Sequence, residues 1–318
     1  MKSQAKQVLR FRPFASFSTA LGMFAGLVGG VAVFAQAQPR APLHPSSVNE
    51  TDQVKLATVE RGDPRSPAVV FIHGFLSSKE VWQKQLNSAT LSSYHLVAYD
   101  WRGSGQSDQP AAAGAYTDFQ RWAQDLDAVI HSTNAKKPVL VGWSMGSNIV
   151  LDYLKLYGDA NIAGVVLIGS SLNVVDPKVQ AAFAPAGQTL LRALFDSNTI
   201  TRQAADASFV RALTWTAQEP RLTAQLVAAA ATVPLPVRAA LATQPAIDQK
   251  AVLATLKVPV WFVQGAHDAF LTPAMLPLGA ELVSSGSATL FAHSGHAPQL
   301  DEPELFNAEL SAFRKKLP

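Results

Sequence analysis

From Val54 onward the chain alternates short runs of apolar, largely β-branched residues with longer stretches of helical periodicity. Val54 to Glu60 reads as a first strand, closed by the turn residues Arg61-Gly62-Asp63-Pro64. Ala68 to Ile72 is a continuous apolar run, the pattern of a strand buried on both faces. His95 to Tyr99, Pro138 to Val141, Ala163 to Ile168, Val258 to Val263 and Ala288 to Phe291 are runs of the same kind. Between them the spacing predicts helices over Lys79 to Leu91, Thr117 to His131, Asn148 to Tyr157 and Glu302 to Lys316. Repeated strand–helix units with continuous apolar strands predict an α/β fold, a mostly parallel sheet with helices on both faces.

Residues 171 to 255 break this rhythm. They are rich in Ala, Leu, Gln and Thr, and no run among them reads as a strand. Short helices are predicted there, including Gln188 to Phe195 and Ala204 to Leu213, with Pro234 and Pro236 as punctuation. The segment has few residues for a core of its own. It reads as a helical cap inserted between two parts of one core, residues 52–170 and 256–318, over the carboxyl edge of the sheet.

The chain of 318 residues is 48% hydrophobic and 15% charged, which suits a globular protein with one large core or two small ones. Its net charge of +3 is unevenly placed. Lys2, Lys6, Arg10 and Arg12 are the only charges before Arg40, so the chain beyond residue 37 carries −1. The basicity therefore belongs to the first residues and gives no reason to expect a nucleic-acid partner. Those residues have the layout of a signal peptide: a basic start, the apolar run Ala20 to Ala35, and Ala35-Gln36-Ala37 as a cleavage pattern. The proline-containing residues 38–51 read as a linker. The uncharged stretch 13–39 is also long enough to span a bilayer, so a retained membrane anchor is the alternative to a cleaved leader. In either case the folded part is expected outside the cytoplasm, in a bacterial periplasm or secreted, or held at the inner membrane facing outward. The absence of cysteine excludes disulfides, a thiol nucleophile and thiolate metal sites.

In open parallel sheets, ligands gather at the carboxyl ends of the strands. Reading those ends in turn gives His73-Gly74-Phe75-Leu76, then Asp100-Trp101-Arg102-Gly103-Ser104-Gly105-Gln106-Ser107, then Gly142-Trp143-Ser144-Met145-Gly146. Gln264-Gly265-Ala266-His267-Asp268 follows, and finally His293 and His296. A serine, an aspartate and a histidine thus stand at separate strand ends. The Gly-x-Ser-x-Gly pentapeptide between a strand and a helix has the form of a nucleophile elbow, where Gly142 and Gly146 leave room for close backbone passage.

Together and in this order, these motifs resemble the α/β-hydrolase superfamily, within it the capped esterase, lactonase and non-haem peroxidase-like branch. The resemblance covers residues 52 to 318. It implies the α/β-hydrolase fold with a helical cap, and no cofactor. It implies Ser144 as nucleophile, His296 as base and Asp268 as the acid that orients it. The backbone N–H groups of Phe75 and Met145 would form the oxyanion hole. His293 competes with His296, and Asp176, after the preceding strand, competes with Asp268; the family pattern favours His296 and Asp268. His73 is expected to brace the oxyanion loop beside Gly74, and Asp100 and Arg102 to fix their turn through a mutual ion pair. Phe183, Phe195, Phe209 and Trp215 are candidates for an acyl pocket or for plain core.

The chemistry fits these residue types. A neutral serine needs a histidine to take its proton, and the histidine needs a carboxylate to fix its tautomer. Dehalogenases and epoxide hydrolases of the superfamily carry an aspartate where Ser144 stands. His267 and Asp268 are adjacent but lack an evident third ligand for a metal, and no dinucleotide or phosphate-loop fingerprint occurs. The expected activity is hydrolysis of an ester or related acyl bond of a small, mainly apolar substrate. Lactone hydrolysis, acyl transfer, perhydrolysis and carbon–carbon bond hydrolysis use the same constellation, and a non-catalytic binding protein is the remaining alternative.

Overall fold

The computed structural model describes residues 44–49, 52–112, 114–172, 174–242 and 248–318. The leader and the alternative anchor expected over residues 1–37 and 13–39 lie outside the described residues. The strands are β1 (His44–Asn49), β2 (Lys55–Arg61), β3 (Ala68–Ile72), β4 (His95–Tyr99), β5 (Val139–Trp143), β6 (Gly164–Ile168), β7 (Val260–Gly265) and β8 (Gly286–Phe291). The helices are α1 (Gln83–Leu86), α2 (Gly114–Thr117), α3 (Phe119–Ser132), α4 (Met145–Tyr157), α5 (Pro177–Ala181), α6 (Pro185–Ala193) and α7 (Thr199–Ala212). They continue as α8 (Pro220–Thr232), α9 (Leu235–Ala242), α10 (Lys250–Thr255), α11 (Met275–Leu282), α12 (Pro298–Asp301) and α13 (Pro303–Lys315).

All eight strands form one sheet in the order β1-β2-β4-β3-β5-β6-β7-β8. The β1–β2 and β2–β4 pairs are antiparallel and every other pair is parallel. Strands β3 to β7 are buried along their whole length, so both faces of the sheet are covered, as the continuous apolar runs predict. The register sets Tyr99, Ile72, Gly142 and Leu167 opposite one another across β4, β3, β5 and β6. The loops that follow these strands therefore leave from one edge, and the candidate chemistry leaves with them.

Two local expectations are corrected. Within the expected linker, residues His44–Asn49 form an edge strand paired with β2, from His44 opposite Glu60 to Asn49 opposite Lys55. Edge pairing needs backbone groups on one side only and tolerates a proline such as Pro45, so no apolar pattern announces it. The single helix expected over Lys79 to Leu91 is instead a 3-10 turn (Lys79–Trp82), the one-turn α1 and a second 3-10 turn (Ala89–Leu91). Ser88 takes an extended conformation (ψ 129°) and divides them.

Helices α5 to α9 follow β6 and lead through α10 to β7. Their buried residues Leu194, Phe209, Leu213 and Leu226 join the same apolar cluster as the strands, so the inserted helices close over the sheet's core. One polar node holds them to each other. Arg238 Nη1 and Nη2 donate to Asp206 Oδ1 and Oδ2 at 2.6 and 2.9 Å, and both side chains are about 1% exposed. The rest of the guanidinium donates to the carbonyls of Leu194, Ala230 and Val233. Helices α7, α8 and α9 therefore meet at one fully bonded cation. Among the described residues no single helix is long and apolar enough to cross a membrane.

Removing one partner of a buried pair strands the other charge. Asp206→Ala is expected to cost about 3–5 kcal/mol in urea denaturation, and replacing Asp206 and Arg238 together by leucine should recover more than half of it. A single variant as stable as the parent would contradict this account of how the inserted helices hold together.

Candidate active site

The strand β5 ends in a turn that only small neighbours permit. Ser144 has φ +54° and ψ −123°, a conformation that costs a non-glycine residue about 1–3 kcal/mol. Its N–H donates to Ile168 O at 2.7 Å, tying the turn to β6. A β-carbon on Gly142 would sit 2.7 Å from both Gly146 O and Ser147 Cα, and one on Gly146 would run into the carbonyls of Ile72 and His73. Ser147 Oγ closes the turn by donating to Gly142 O at 2.9 Å. Helix α4 begins at Met145, so the Met145 N–H belongs to the first turn and has no partner within the helix.

The loop after β3 comes up beside this turn. A β-carbon on Gly74 would lie 3.0 Å from Ser144 Cβ, so glycine is what lets the loop approach. Leu76 has φ +50° and points the chain away again. Phe75 and Met145 line one cavity together with Ser144, and among the described residues neither N–H has a hydrogen-bond acceptor. His73 lies buried beneath this loop. Its Nδ1 is 2.8 Å from Gly74 O and also meets the Trp101 indole N–H, and its Nε2 accepts from the Trp101 backbone N–H at 3.3 Å. Burial pushes His73 down to about 4, against the opposing pull of Asp100 and the Gly74 carbonyl. It is a neutral brace and does not line the cavity.

The last two loops interlock. The Ala266 N–H donates to Phe291 O and the His267 N–H to Ser294 O, both at 2.9 Å. Asp268 is turned inward with a fully buried carboxylate. Its Oδ1 accepts from the Phe270 and Leu271 N–H groups at 2.8 and 3.0 Å, and its Oδ2 meets His296 Nδ1 at 2.8 Å. An Nδ1–H donating to Asp268 leaves Nε2 of His296 as the acceptor, the tautomer that proton abstraction requires. The ring is held between Trp143 (centroids 5.7 Å apart) and Phe270 (4.9 Å), while Trp143 Nε1 donates to His296 O at 2.8 Å. His293 is exposed, and its backbone N–H donates to Glu302. Asp176 caps α5 through the Lys178 N–H. Neither lines the cavity that Ser144 and His296 share.

That cavity has a volume of about 410 Å³. Phe75, Phe270 and Leu271 from the core and Phe183, Phe195, Phe209, Leu191 and Leu241 from the inserted helices form most of its wall, with Asn148, Ser171 and Gln188 as polar exceptions. Phe75 packs against Phe195 and Phe209 with centroids 6.2 and 6.4 Å apart. Trp215 is elsewhere. It is 58% exposed and stacks on His267 at 3.8 Å. The expected Asp100–Arg102 ion pair is also replaced. Asp100 pairs with Lys79 at 2.5 Å, and Arg102 pairs with Asp125 at 2.6 Å and Asp52 at 3.0 Å. Each thus meets a charge brought by another part of the chain. Sequence reasoning missed Lys79 and Phe270. Phe270 stands two residues after Asp268, and an aromatic so close to a buried acid was the available signal. Among the described residues no group of three or more histidines and carboxylates could hold a metal ion.

A mostly parallel sheet with a serine on a strained turn at its carboxyl edge, and a cavity lined by that serine and by a histidine bonded to an aspartate, defines a hydrolase-type α/β enzyme. Residues 67–303 match the family model of the alpha/beta hydrolase fold, and the chain belongs to that family. The crystal structure of a proposed aryl esterase from Burkholderia cenocepacia superposes with a TM-score of 0.79 at 36% identity, over 86% of this chain and 98% of that one. Epoxide hydrolase A of Mycobacterium tuberculosis is 34% identical over 110 residues, 35% of this chain and 34% of its own. A proposed non-heme chloroperoxidase of Synechocystis is 35% identical over 100 residues, 31% of this chain and 35% of its own. The chain thus matches only about a third of the length of these two curated relatives.

His73 gives the site a pH signature. Its ordinary value of 6.5 falls to about 4 in the fold, so between these values the unfolded chain binds the proton that the folded chain refuses. This contribution to stability is complete above pH 6.5 and is lost as the pH falls toward 4. Between pH 7 and pH 5 the parent should lose about 2 kcal/mol more than His73→Asn in urea denaturation. Equal losses in both proteins would contradict a buried neutral His73.

Proposed function

We propose that this enzyme is a serine hydrolase that cleaves an ester or related acyl bond through an acyl-enzyme on Ser144. The observation that carries this reading is a single cavity bounded by Ser144, by His296 in its hydrogen bond to Asp268, and by the unengaged N–H groups of Phe75 and Met145. Ser144 Oγ attacks the carbonyl carbon while His296 Nε2 takes the hydroxyl proton. The carbonyl oxygen becomes an oxyanion and accepts from the two N–H groups, each of which is worth about 3 kcal/mol to such a transition state. Collapse of the tetrahedral intermediate breaks the bond to the leaving oxygen, which receives the proton from His296. A water molecule then gives His296 a proton and attacks the acyl carbon; collapse breaks the bond to Ser144 Oγ, which takes the proton back from His296 as the acid leaves. Asp268 stabilises the imidazolium at each passage.

The wall of the cavity indicates the substrate. Its mainly aromatic and aliphatic lining contains no carboxylate, lysine or arginine, which supports an uncharged acyl or aryl group of modest size. The description of the Burkholderia relative as an aryl esterase agrees with this. Serine at the elbow favours acyl transfer to water over epoxide opening, for which the superfamily resemblance places an aspartate there. The basic start, apolar run and Ala35-Gln36-Ala37 support export of the folded part, with the inserted helices of residues 171–255 serving as a cap over the site.

Purified protein should react with a fluorophosphonate probe, and Ser144→Ala should not. Across p-nitrophenyl esters of graded chain length the parent should prefer uncharged acyl groups, and Ser144→Ala should lose kcat/KM by a factor on the order of 10^4 or more. If the full gene is expressed in an exporting host, intact mass should show residues 1–37 removed. Retained activity in Ser144→Ala, or preference for charged acyl groups, would refute the reading of the site, and an intact leader would refute cleavage.

A further inference from the structure

We propose that Asp301 is a positioning residue that couples the seating of the inserted helices to the placement of His296. The proposal rests on the reading of His296 as the base. Asp301 closes α12, five residues after His296, and its carboxylate accepts from two segments at once. Oδ2 accepts from the Gly295 N–H at 2.8 Å and from the Trp215 N–H at 2.9 Å. Oδ1 accepts from the Thr216 N–H at 2.9 Å, from Thr216 Oγ1 at 2.5 Å and from Gln218 Nε2 at 3.3 Å. Gly295 immediately precedes His296, and residues 215–218 form the turn between α7 and α8. Among the described residues no lysine or arginine pairs with Asp301, so these five donors are what meets its charge. Charged acceptors make the stronger hydrogen bonds, and a carboxylate saturated in this way fixes both segments relative to each other.

The packing around this clasp is close. A β-carbon on Gly295 would lie 2.8 Å from Trp215 N and 3.0 Å from Thr214 C, so the turn rests directly on the residue before His296. The Trp215 indole lies flat on the His267 ring, with centroids 3.8 Å apart and planes 13° from parallel. One turn therefore touches the residues that precede both Asp268 and His296. At its other end the insertion is tied to the acid loop by backbone hydrogen bonds and by Phe209, whose ring packs on Phe270 with centroids 5.5 Å apart. The Ala184 N–H donates to Phe270 O and the Thr272 N–H to Ala182 O, both at 2.8 Å, on either side of a Phe183–Leu271 bridge. Phe270 and Leu271 are the residues whose N–H groups hold Asp268. These two seams land on the two loops that carry the acid and the base, and the one at Asp301 gathers three residues of the turn on one carboxylate, with Lys84 Nζ donating to Gln218 Oε1 at 2.8 Å beside it.

Without that carboxylate, the buried Gly295 N–H and the N–H groups of Trp215 and Thr216 lose their acceptor, while Gln218 keeps its bond from Lys84. A base displaced by even a fraction of an ångström reacts more slowly, so the effect falls on kcat rather than on substrate binding. In Asp301→Asn, whose amide can accept at one atom only, kcat for p-nitrophenyl butyrate should fall at least about tenfold while KM changes less than about threefold. Amide hydrogen exchange should rise together in residues 213–218 and 293–297. Thr216→Val removes only the hydroxyl on the inserted side of the clasp. It should raise exchange in both segments to a smaller extent, and it gives the test a second variant if Asp301→Asn folds poorly. Faster exchange confined to 213–218, or a lower melting temperature with kcat unchanged, would overturn the coupling. Failure of the parent itself to react with a fluorophosphonate would instead count against the serine-hydrolase reading, and the exchange comparison would still decide the coupling.

Discussion

The structure depends on one strained residue. Ser144 stands in a backbone conformation that its own side chain disfavours, and the surrounding chain is arranged to keep it there. Strand β5 drives into the turn, Ile168 holds its N–H, and α4 begins at once behind it. The space is so limited that Gly142, Gly146 and Gly74 stand where any β-carbon would press on backbone or on Ser144 itself. The same crowding produces the chemistry. Close approach of the Gly74 loop sets Phe75 in the same cavity wall as Ser144 and Met145, so both residues with unengaged N–H groups belong to the crowded segments around the serine.

Around this turn, charge is kept out of the cavity and used as scaffold. Lys79 and Asp100 lock the loop after β4, while Arg102, Asp125 and Asp52 lock the other side of the same loop. His73, neutral through burial, holds Gly74 to Trp101. In the inserted helices Arg238 and Asp206 play the same part. Among the described residues that line the cavity the one titratable acid–base group is His296, bonded to Asp268, and phenylalanines stand beside it in the wall. An apolar surround strengthens every electrostatic interaction within it, so a few well-aimed donors suffice.

The sequence revealed the frame well because buried parallel strands leave a plain trace. The bounds of β3 and β4 match their apolar runs residue for residue, and the elbow is marked by two glycines that sterics alone would demand. Strand ends placed an aspartate and histidines on one edge, and the family resemblance chose Asp268 and His296, which pair, over Asp176 and His293. Features that depend on one segment meeting a distant one were not. Asp100 and Arg102 are two residues apart, yet each pairs with a charge brought by the fold. Trp215 reads as an aromatic in a helical region, but its place is set by His267, far along the chain, and not by the cavity. Asp301 binds backbone N–H groups as many as 86 residues away, and backbone donors have no sequence signature. Strand β1 escaped for a related reason, since an edge strand gains its bonds without burying an apolar face.

The central claim is that Ser144 becomes covalently acylated during turnover. Rapid-quench kinetics with a p-nitrophenyl ester, followed by peptide mass spectrometry, tests this most directly. The account predicts a burst of about one equivalent of p-nitrophenol per enzyme when deacylation is slow, with the acyl mass on Ser144 and absent from Asp268 and His296. Turnover with no acyl mass on Ser144 at any quench time, or with the acyl group on another residue, would contradict it.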